Sequence, residues 1–322
     1  MKLTTMMALF TLCSAAGIAQ SGSSDVPAGA CRELNEAAMK QALKGHVAEA
    51  EALLPPDLGA CTGMVMGNVA RIAAVQGHMA EAERLAEQSI RMLERFYPPD
   101  DWRLLRPLQI LASVRLEKGK TARAREAIRR IQSIPIKRPE DRASVHGTVG
   151  ALRQMEGRWR EAEVEYKEAL RAWEEAGRSE SADAAAMFHC LTALYLVEHR
   201  LDDARQALDR AGFIHDRAKD SWPIDRIKYL YLRSVLHARF GEWQQCEQNL
   251  HEALSMADRE PYVDPALFRV MLGSYAYVLR RNHHPREARS IEARRAAVPK
   301  DSTADAVVDA TELLLEKKGA KH

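Results

Sequence analysis

The sequence predicts an all-α repeat protein in which antiparallel helix pairs stack along a solenoid. A glycine or histidine marker returns seven times, with successive spacings of 32, 42, 38, 42, 42 and 42 residues. One small residue stands five positions after each marker, and another stands seven positions before it. Because small side chains at fixed places let helices approach closely, this recurrence is typical of a helical solenoid.

The three sets of recurring residues are easily located in the printed sequence. The markers are Gly45, Gly77, Gly119, Gly157, His199, Gly241 and His283. The small residues after them are Ala50, Ala82, Ala124, Ala162, Ala204, Cys246 and Ala288. The small residues before them are Ala38, Ala70, Ala112, Gly150, Thr192, Ser234 and Ala276.

Each repeat unit is predicted to be a helix, a short turn at the marker and a second helix. Apolar residues recur at steps of three and four on both sides of Gly157, which is the period of an amphipathic helix. Glycine suits the end of a first helix because it adopts positive φ without strain. Proline-bearing or polar connections then separate the units, since proline can begin a helix but cannot continue one.

This pattern places seven helix pairs in order along the chain. The first helices are predicted at 31–44, 62–76, 101–118, 140–156, 182–198, 223–240 and 264–281. The second helices are predicted at 46–54, 79–96, 121–132, 159–176, 201–218, 243–258 and 285–297. The first of these second helices is short because Pro55 and Pro56 stop it.

One more helix is predicted at 303–318, after the last pair. Asp301, Ser302 and Thr303 offer N-cap oxygens, and apolar residues then recur on one face. A repeat array leaves an apolar face open at its end, so this helix is expected to cap the solenoid, which spans residues 31–297.

Composition and charge exclude some classes of function. The chain has 322 residues, with 47 basic and 45 acidic side chains and a net charge of +2. A dedicated nucleic-acid binder usually carries a strongly basic domain or stripe, so no nucleic-acid partner is expected. No segment after the N-terminal one is apolar enough to cross a membrane, so the mature chain is expected to have no transmembrane segment.

Residues 1–19 read as a secretory signal peptide. Lys2 supplies the positive start, an apolar run follows from Met6 to Ile18, and small residues precede a cut after Ala19. Residues 20–30 are expected to be a flexible leader, because they begin with the polar stretch Ser21–Ser24. The chain is therefore expected to be periplasmic or secreted, and an uncleaved anchor is the alternative.

An exported chain can keep disulfide bonds. Cys31 and Cys61 lie at the starts of the first helices in neighbouring units, so a disulfide between them is one reading, and two free thiols are the other. Cys190 and Cys246 are predicted to be buried apolar residues. No cysteine and histidine set has zinc spacing.

The repeats resemble the tetratricopeptide repeat (TPR). The fifth unit carries the pattern most fully, and its matching residues are Phe188, Leu191, Thr192, Tyr195, Leu201, Ala204, Leu208 and Ala211. The fourth unit adds Trp159 at its turn, with Tyr166. The spacing of 42 residues, rather than 34, resembles the long repeats of kinesin light chains and of many bacterial TPR proteins. Arg115, Arg153 and His237 depart from the pattern, because they replace the tyrosine of the first helix.

The resemblance implies a right-handed superhelix whose inner wall is made by the first helices and binds peptides or helices. Eight residues at inner-wall positions are the candidates for partner contact, and their cations suit an acidic peptide. They are Lys228, Tyr231, Tyr277, Arg280, His189, Gln109, Arg106 and Arg71. The alternative is that these residues are solvated or pack between repeats. Trp159, Trp173 and Trp243 are predicted to belong to the core.

No motif for catalysis or cofactor binding is present. The sequence has no Walker loop, no HExxH, no GxSxG and no Rossmann glycine pattern. His283, His284 and Glu287 are expected to end one helix and begin the next rather than to hold a metal ion. We therefore expect no cofactor, no metal site and no enzyme activity, and a catalytic solenoid is the weakest reading.

The expected function is that of an exported scaffold that binds a protein or peptide in its concave groove. The alternative is a regulator or secretion adaptor that senses a small peptide or a cell-wall fragment. Neither the composition nor the repeat pattern identifies the partner.

Overall fold

The computed structural model describes residues 29–55, 58–217, 223–260 and 263–298. Within these ranges the regular secondary structure is helical, and the predicted all-α solenoid of paired helices is confirmed. The predicted signal peptide, most of the leader and the predicted cap at 303–318 lie outside the described residues. No helix in the described ranges is both long and apolar enough to cross a membrane.

The chain divides into two compact units between Ser179 and Glu180. We call them the N-terminal unit and the C-terminal unit. The helices of the N-terminal unit are α1 (Ala30–Leu43), α2 (Val47–Ala52), α3 (Ala60–Val75), α4 (Met79–Leu93), α5 (Leu105–Glu117), α6 (Thr121–Gln132), α7 (Pro139–Met155) and α8 (Trp159–Glu175). The helices of the C-terminal unit are α9 (Ala182–Val197), α10 (Leu201–His215), α11 (Pro223–Arg239), α12 (Trp243–Ala257), α13 (Pro265–Arg281) and α14 (Pro285–Ala297).

Odd-numbered helices are the first helices of the pairs, and even-numbered helices are the second. In the N-terminal unit α1 packs on α3, α3 on α5 and α5 on α7, while α4 and α6 also contact the first helix of the next pair. In the C-terminal unit α9 and α10 pack on α11, and α12 packs on α13. Each pair therefore buries its apolar face partly within itself and partly against its neighbour.

The seven markers all have a positive φ, between 60° and 85°. In every turn the amide after the marker donates to the carbonyl oxygen five residues before it, as in the 3.1 Å bond from His46 N to Gln41 O. This is the Schellman arrangement, which satisfies the carbonyls at a helix end. His199 and His283 are the non-glycine residues with positive φ in the described part of the chain.

The recurring small residues lie where the two helices of a pair meet. All fourteen are buried, including Cys246, whose side chain is fully inaccessible to solvent. Gly150 shows why the position is restricted, because a Cβ atom there would lie 2.7 Å from Cε1 of Tyr166. The periodic small residues therefore mark the close contacts of the solenoid.

The third pair departs from the prediction at its first helix. A 3₁₀ turn covers Trp102–Leu104 before α5 begins at Leu105, and the carboxylate of Asp101 accepts a 2.9 Å bond from the Arg103 amide. Pro107 lacks an amide hydrogen and its ring crowds the carbonyl of Arg103, so an α-helix cannot run unbroken from residue 101. The other helix ends lie within three residues of their predicted places.

Candidate partner-binding site

The three candidates in the N-terminal unit lie on first helices. Arg71, on α3, is buried, with 7% of its surface exposed. Arg106 and Gln109, on α5, are half-buried. The Gln109 amide nitrogen is buried and has no hydrogen-bond partner within the described ranges.

Three candidates in the C-terminal unit are almost entirely buried. His189 on α9 and Tyr231 on α11 are fully buried, and Lys228 has 2% of its surface exposed. The Tyr231 hydroxyl lies 3.4 Å from Ser274 Oγ, and burial raises the pKa of this phenol. Substitutions of these three residues would therefore perturb packing, and their role in partner contact stays a prediction.

Tyr277 and Arg280, on α13, are the accessible candidates. Tyr277 is half-buried, and its ring meets the Trp243 ring edge to face at 6.2 Å. Arg280 is exposed, and its Nε and Nη2 donate to the two Glu292 carboxylate oxygens at 2.9 and 2.8 Å. The hydrogen bonds to Glu292 raise the pKa of Arg280. Arg280 thus presents its guanidinium in the planar geometry that binds a carboxylate.

A second arginine and a tryptophan extend this surface. The Arg281 guanidinium lies 4.6 Å from the centroid of the Trp243 ring, within the range of a cation–π contact. We call Trp243, Tyr277, Arg280 and Arg281 the C-terminal contact surface. All four side chains are half-buried or exposed, and they combine the residue types that dominate protein interfaces.

The sequence missed two of these four residues. The sequence predicts that Trp159, Trp173 and Trp243 belong to the core, but of the three only Trp173 is buried, with 1% of its surface exposed. Trp159 and Trp243 are half-buried. Both stand two positions after a marker and begin a second helix, whereas Trp173 lies in the last turn of α8. The distance from the marker is therefore the signal that separates an accessible tryptophan from a buried one.

Of the residues considered for metal binding, His284 lies beside two carboxylates. His284 Nδ1 lies 3.4 Å from one Glu247 oxygen and 3.9 Å from Glu287. His283 occupies the positive-φ turn and is exposed. Within the described ranges no group of three His, Cys, Asp or Glu side chains could hold a metal ion.

Cys31 and Cys61 form a disulfide in the N-terminal unit, with their Cα atoms 5.7 Å apart. The bond joins the first turns of α1 and α3. Cys190 and Cys246 are buried thiols, and burial raises the pKa of the Cys246 thiol to about 12. A thiol that stays protonated is a poor nucleophile, which fits a packing role for Cys246.

Similarity to known proteins is found in structure rather than in sequence. Neither a protein-family model nor a curated protein sequence matches this chain. BtubC (BKLC) from P. vanneervenii has a TM-score of 0.51 at 20% identity, over 70% of this chain and 94% of that one. The apo form of RapI has a TM-score of 0.56 at 16% identity, over 82% and 99%.

A tetratricopeptide repeat protein from Parabacteroides merdae ATCC 43184 has a TM-score of 0.50 at 15% identity, over 88% of this chain and 98% of that one. At these identities the likeness concerns the fold. Together with the seven Schellman turns and the buried small residues, it shows that the chain has a TPR-type fold.

Proposed function

We propose that this chain is an exported, non-enzymatic scaffold that binds an acidic protein or peptide segment through the C-terminal contact surface. The observation that carries the proposal is the accessible cluster of two aromatic and two arginine side chains on α12 and α13. Aromatic rings supply area and arginines supply directional hydrogen bonds, so few residues can dominate the binding free energy.

The contact between Arg280 and Glu292 supports an acidic partner. Both side chains are about half exposed, at 50% and 43%, so water competes with this ion pair and its net contribution to stability is small. A carboxylate of a partner could therefore replace Glu292 at little cost. In this proposal Glu292 pairs with the Arg280 guanidinium in the absence of a partner, and the partner's carboxylate replaces it on binding.

The disulfide supports export. Disulfide bonds persist in oxidising compartments and are rare in the cytosol. With residues 1–19 acting as a signal peptide, the mature chain begins at Gln20, and mass analysis of the protein purified from its host tests this start. A mature protein that retains residues 1–19 would contradict cleavage.

The binding proposal is tested by site-specific photocrosslinking in the native host. A photoreactive amino acid replaces Tyr277 in one variant and Val164 in the control. Val164 is 58% exposed and lies on α8, outside the contact surface. A partner should be crosslinked from position 277 and not from position 164.

Two charge variants then test the role of Arg280. Arg280→Glu should reduce the crosslink at position 277 by about tenfold or more, because truncating or reversing a hot-spot charge costs about 2 kcal/mol. Glu292→Gln should increase the crosslink, because it removes the competing carboxylate. Arg129→Glu, at an exposed arginine on α6, is the control for net charge. Equal crosslinking in all three variants would refute the proposal.

A further inference from the structure

Two histidines join α9 to α10 inside the C-terminal unit. His189 Nε2 lies 3.0 Å from His215 Nε2, and the two rings stack with their centroids 5.0 Å apart. His189 is fully buried and His215 is half-buried. The His189 Nδ1 atom is buried and has no hydrogen-bond partner within the described ranges.

The contact between the two nitrogens depends on a single proton. One Nε2 must carry hydrogen and donate, and the other must keep its lone pair and accept. If both rings are protonated, two N–H donors and two positive charges face each other at 3.0 Å, and the hydrogen bond is lost. The link between α9 and α10 therefore exists only while at least one ring is neutral.

The groups around the pair oppose protonation. The charge of Lys228 disfavours protonation of His189, and the charge of Arg226 disfavours protonation of His215; both residues lie on α11. The Tyr229 ring, also on α11, packs at 6.4 Å from His189 and 5.6 Å from His215. Asp216, at the end of α10, favours a charged His215, and its effect on the pKa is smaller than those of burial and Arg226.

The pKa values of both histidines are lowered as a result. Burial lowers the pKa of His189 well below 6.5, and the charges of His215 and Lys228 lower it further. Burial, with a contribution from Arg226, lowers the pKa of His215 to about 4. Both rings are therefore neutral at neutral pH, which meets the condition that at least one of them is neutral for the Nε2 contact to form.

We propose that the His189–His215 contact is an acid-released latch, which holds α9 against α10 at neutral pH and opens the C-terminal unit when it takes up protons. The proposal goes beyond the proposed function and does not depend on it. It assigns a pH response to a unit whose repeat pattern gives no hint of one.

The direction of the pH effect follows from proton linkage. A histidine whose pKa is lowered by folding contributes its full stabilisation above the unfolded pKa of about 6.5. Below that pH the histidine is protonated in the unfolded chain but not in the folded chain. The free energy of unfolding therefore falls as the pH is lowered, until the folded pKa is reached. Each such histidine raises the unfolding equilibrium constant by up to about tenfold per pH unit, and two raise it by up to about a hundredfold.

The test measures urea unfolding of the full mature chain between pH 7.5 and pH 4.5, followed by circular dichroism. The wild type is compared with a His189→Gln, His215→Gln double variant, whose amides can hydrogen-bond but do not titrate in this range. The control is His283→Gln, at an exposed histidine of the same unit. The proposal expects the rise in the unfolding constant between pH 6 and pH 5 to be at least tenfold larger in the wild type than in the double variant, and unchanged in the control.

A second measurement keeps the proposal testable if the double variant fails to fold. Histidine-labelled wild-type protein is titrated by NMR, and the two resonances are assigned with the single variants or by their contacts to Tyr229. The proposal expects both resonances to remain in the neutral state down to about pH 5. Titration of both near pH 6.5, or equal pH dependence of stability in the wild type and the double variant, would overturn it.

Discussion

At the scale of single residues, the turn markers show how one backbone angle selects an amino acid. Five of the seven turns use glycine, and two use histidine with φ of 60° and 64°. In the histidine turns the amide of the marker donates over 3.4 Å and 3.3 Å, whereas in the glycine turns the same bond is 2.8–3.1 Å long. A side chain in the left-handed region costs about 1–2 kcal/mol, which accounts for the preference for glycine.

This cost predicts that His283→Gly stabilises the protein by about 1 kcal/mol. His283 is the better position for the test because it is exposed, whereas the His199 ring contacts the Arg239 guanidinium. The free energy of unfolding in urea is the measurement. The matched control is His284→Gly, because His284 has φ of −107° and gains nothing from glycine. Equal effects at both positions would contradict the strain argument.

At the scale of helices, the replacements of the first-helix tyrosine have a shared explanation. In the fifth unit Tyr195 stacks under the Arg200 guanidinium at 4.3 Å. At the same position of other units a polar side chain lies beside a carboxylate instead, as Arg153 does beside Glu161 of α8 at 3.6 Å and His237 beside Glu242 at 2.5 Å. The position therefore contacts the start of the second helix through either an aromatic ring or a polar group beside a carboxylate.

Arg115, at the same position on α5, contacts carboxylates of the preceding helix pair. It donates to Glu83 at 3.4 Å and to Glu87 at 2.9 Å, both on α4. Lys118 and Lys120 also reach Glu83, at 3.0 and 3.2 Å. Burial opposes ionisation of Glu83, but the hydrogen bonds from both lysines outweigh it, and its pKa is lowered. This half-buried network joins successive pairs of the N-terminal unit.

Glu83→Gln is therefore expected to destabilise the protein by about 1–3 kcal/mol at pH 7, since it leaves three cations without their shared carboxylate. Because the folded pKa of Glu83 is lowered, its stabilisation is present above the unfolded pKa of about 4.5 and is lost as pH falls below that value. Urea unfolding of wild type and variant at pH 7 and pH 4 measures both effects, and the difference should shrink at pH 4. The control is Glu168→Gln, whose partner Arg171 is exposed, with an expected change under about 0.5 kcal/mol.

At the scale of the whole molecule, stability is distributed within each unit because each helix pair contacts its neighbours in that unit. The disulfide closes the first stretch of the solenoid by joining residues 30 positions apart in α1 and α3. A loop of this length corresponds to about 3.5 kcal/mol in the chain-entropy model. At the other end α14 has one buried residue, Ala288, so its surface is polar and charged.

Reduction of the disulfide is predicted to loosen α1–α3 and to leave α11–α14 unchanged, because repeat stability is set by nearest neighbours. Hydrogen exchange followed by mass spectrometry, with and without reductant, measures this difference. Cys190 and Cys246 serve as an internal control, because both are already thiols and reductant does not change them. A loss of protection throughout the chain would show that the solenoid unfolds as one unit instead.

The candidate site was only partly predictable from the sequence, and the reason is geometric. Helical period places Tyr277, Arg280, Tyr231 and Lys228 on one side of their helices, but it carries no information about how deeply that side is covered. In the folded C-terminal unit Tyr231 and Lys228 are buried while Arg280 is exposed. Trp243 joins the accessible group because it begins a helix at a turn, where few neighbours surround it.

The sequence by itself determined the helices, their order and their turns, since helical period, glycine at positive φ and small residues at close contacts act over short stretches of chain. Tertiary structure alone decided which polar groups meet across helices. The contact between His189 and His215 joins residues 26 positions apart, and the network on Glu83 reaches Lys120, 37 positions away. Such contacts depend on the distance and orientation at which neighbouring helices pack, and no local sequence pattern encodes these.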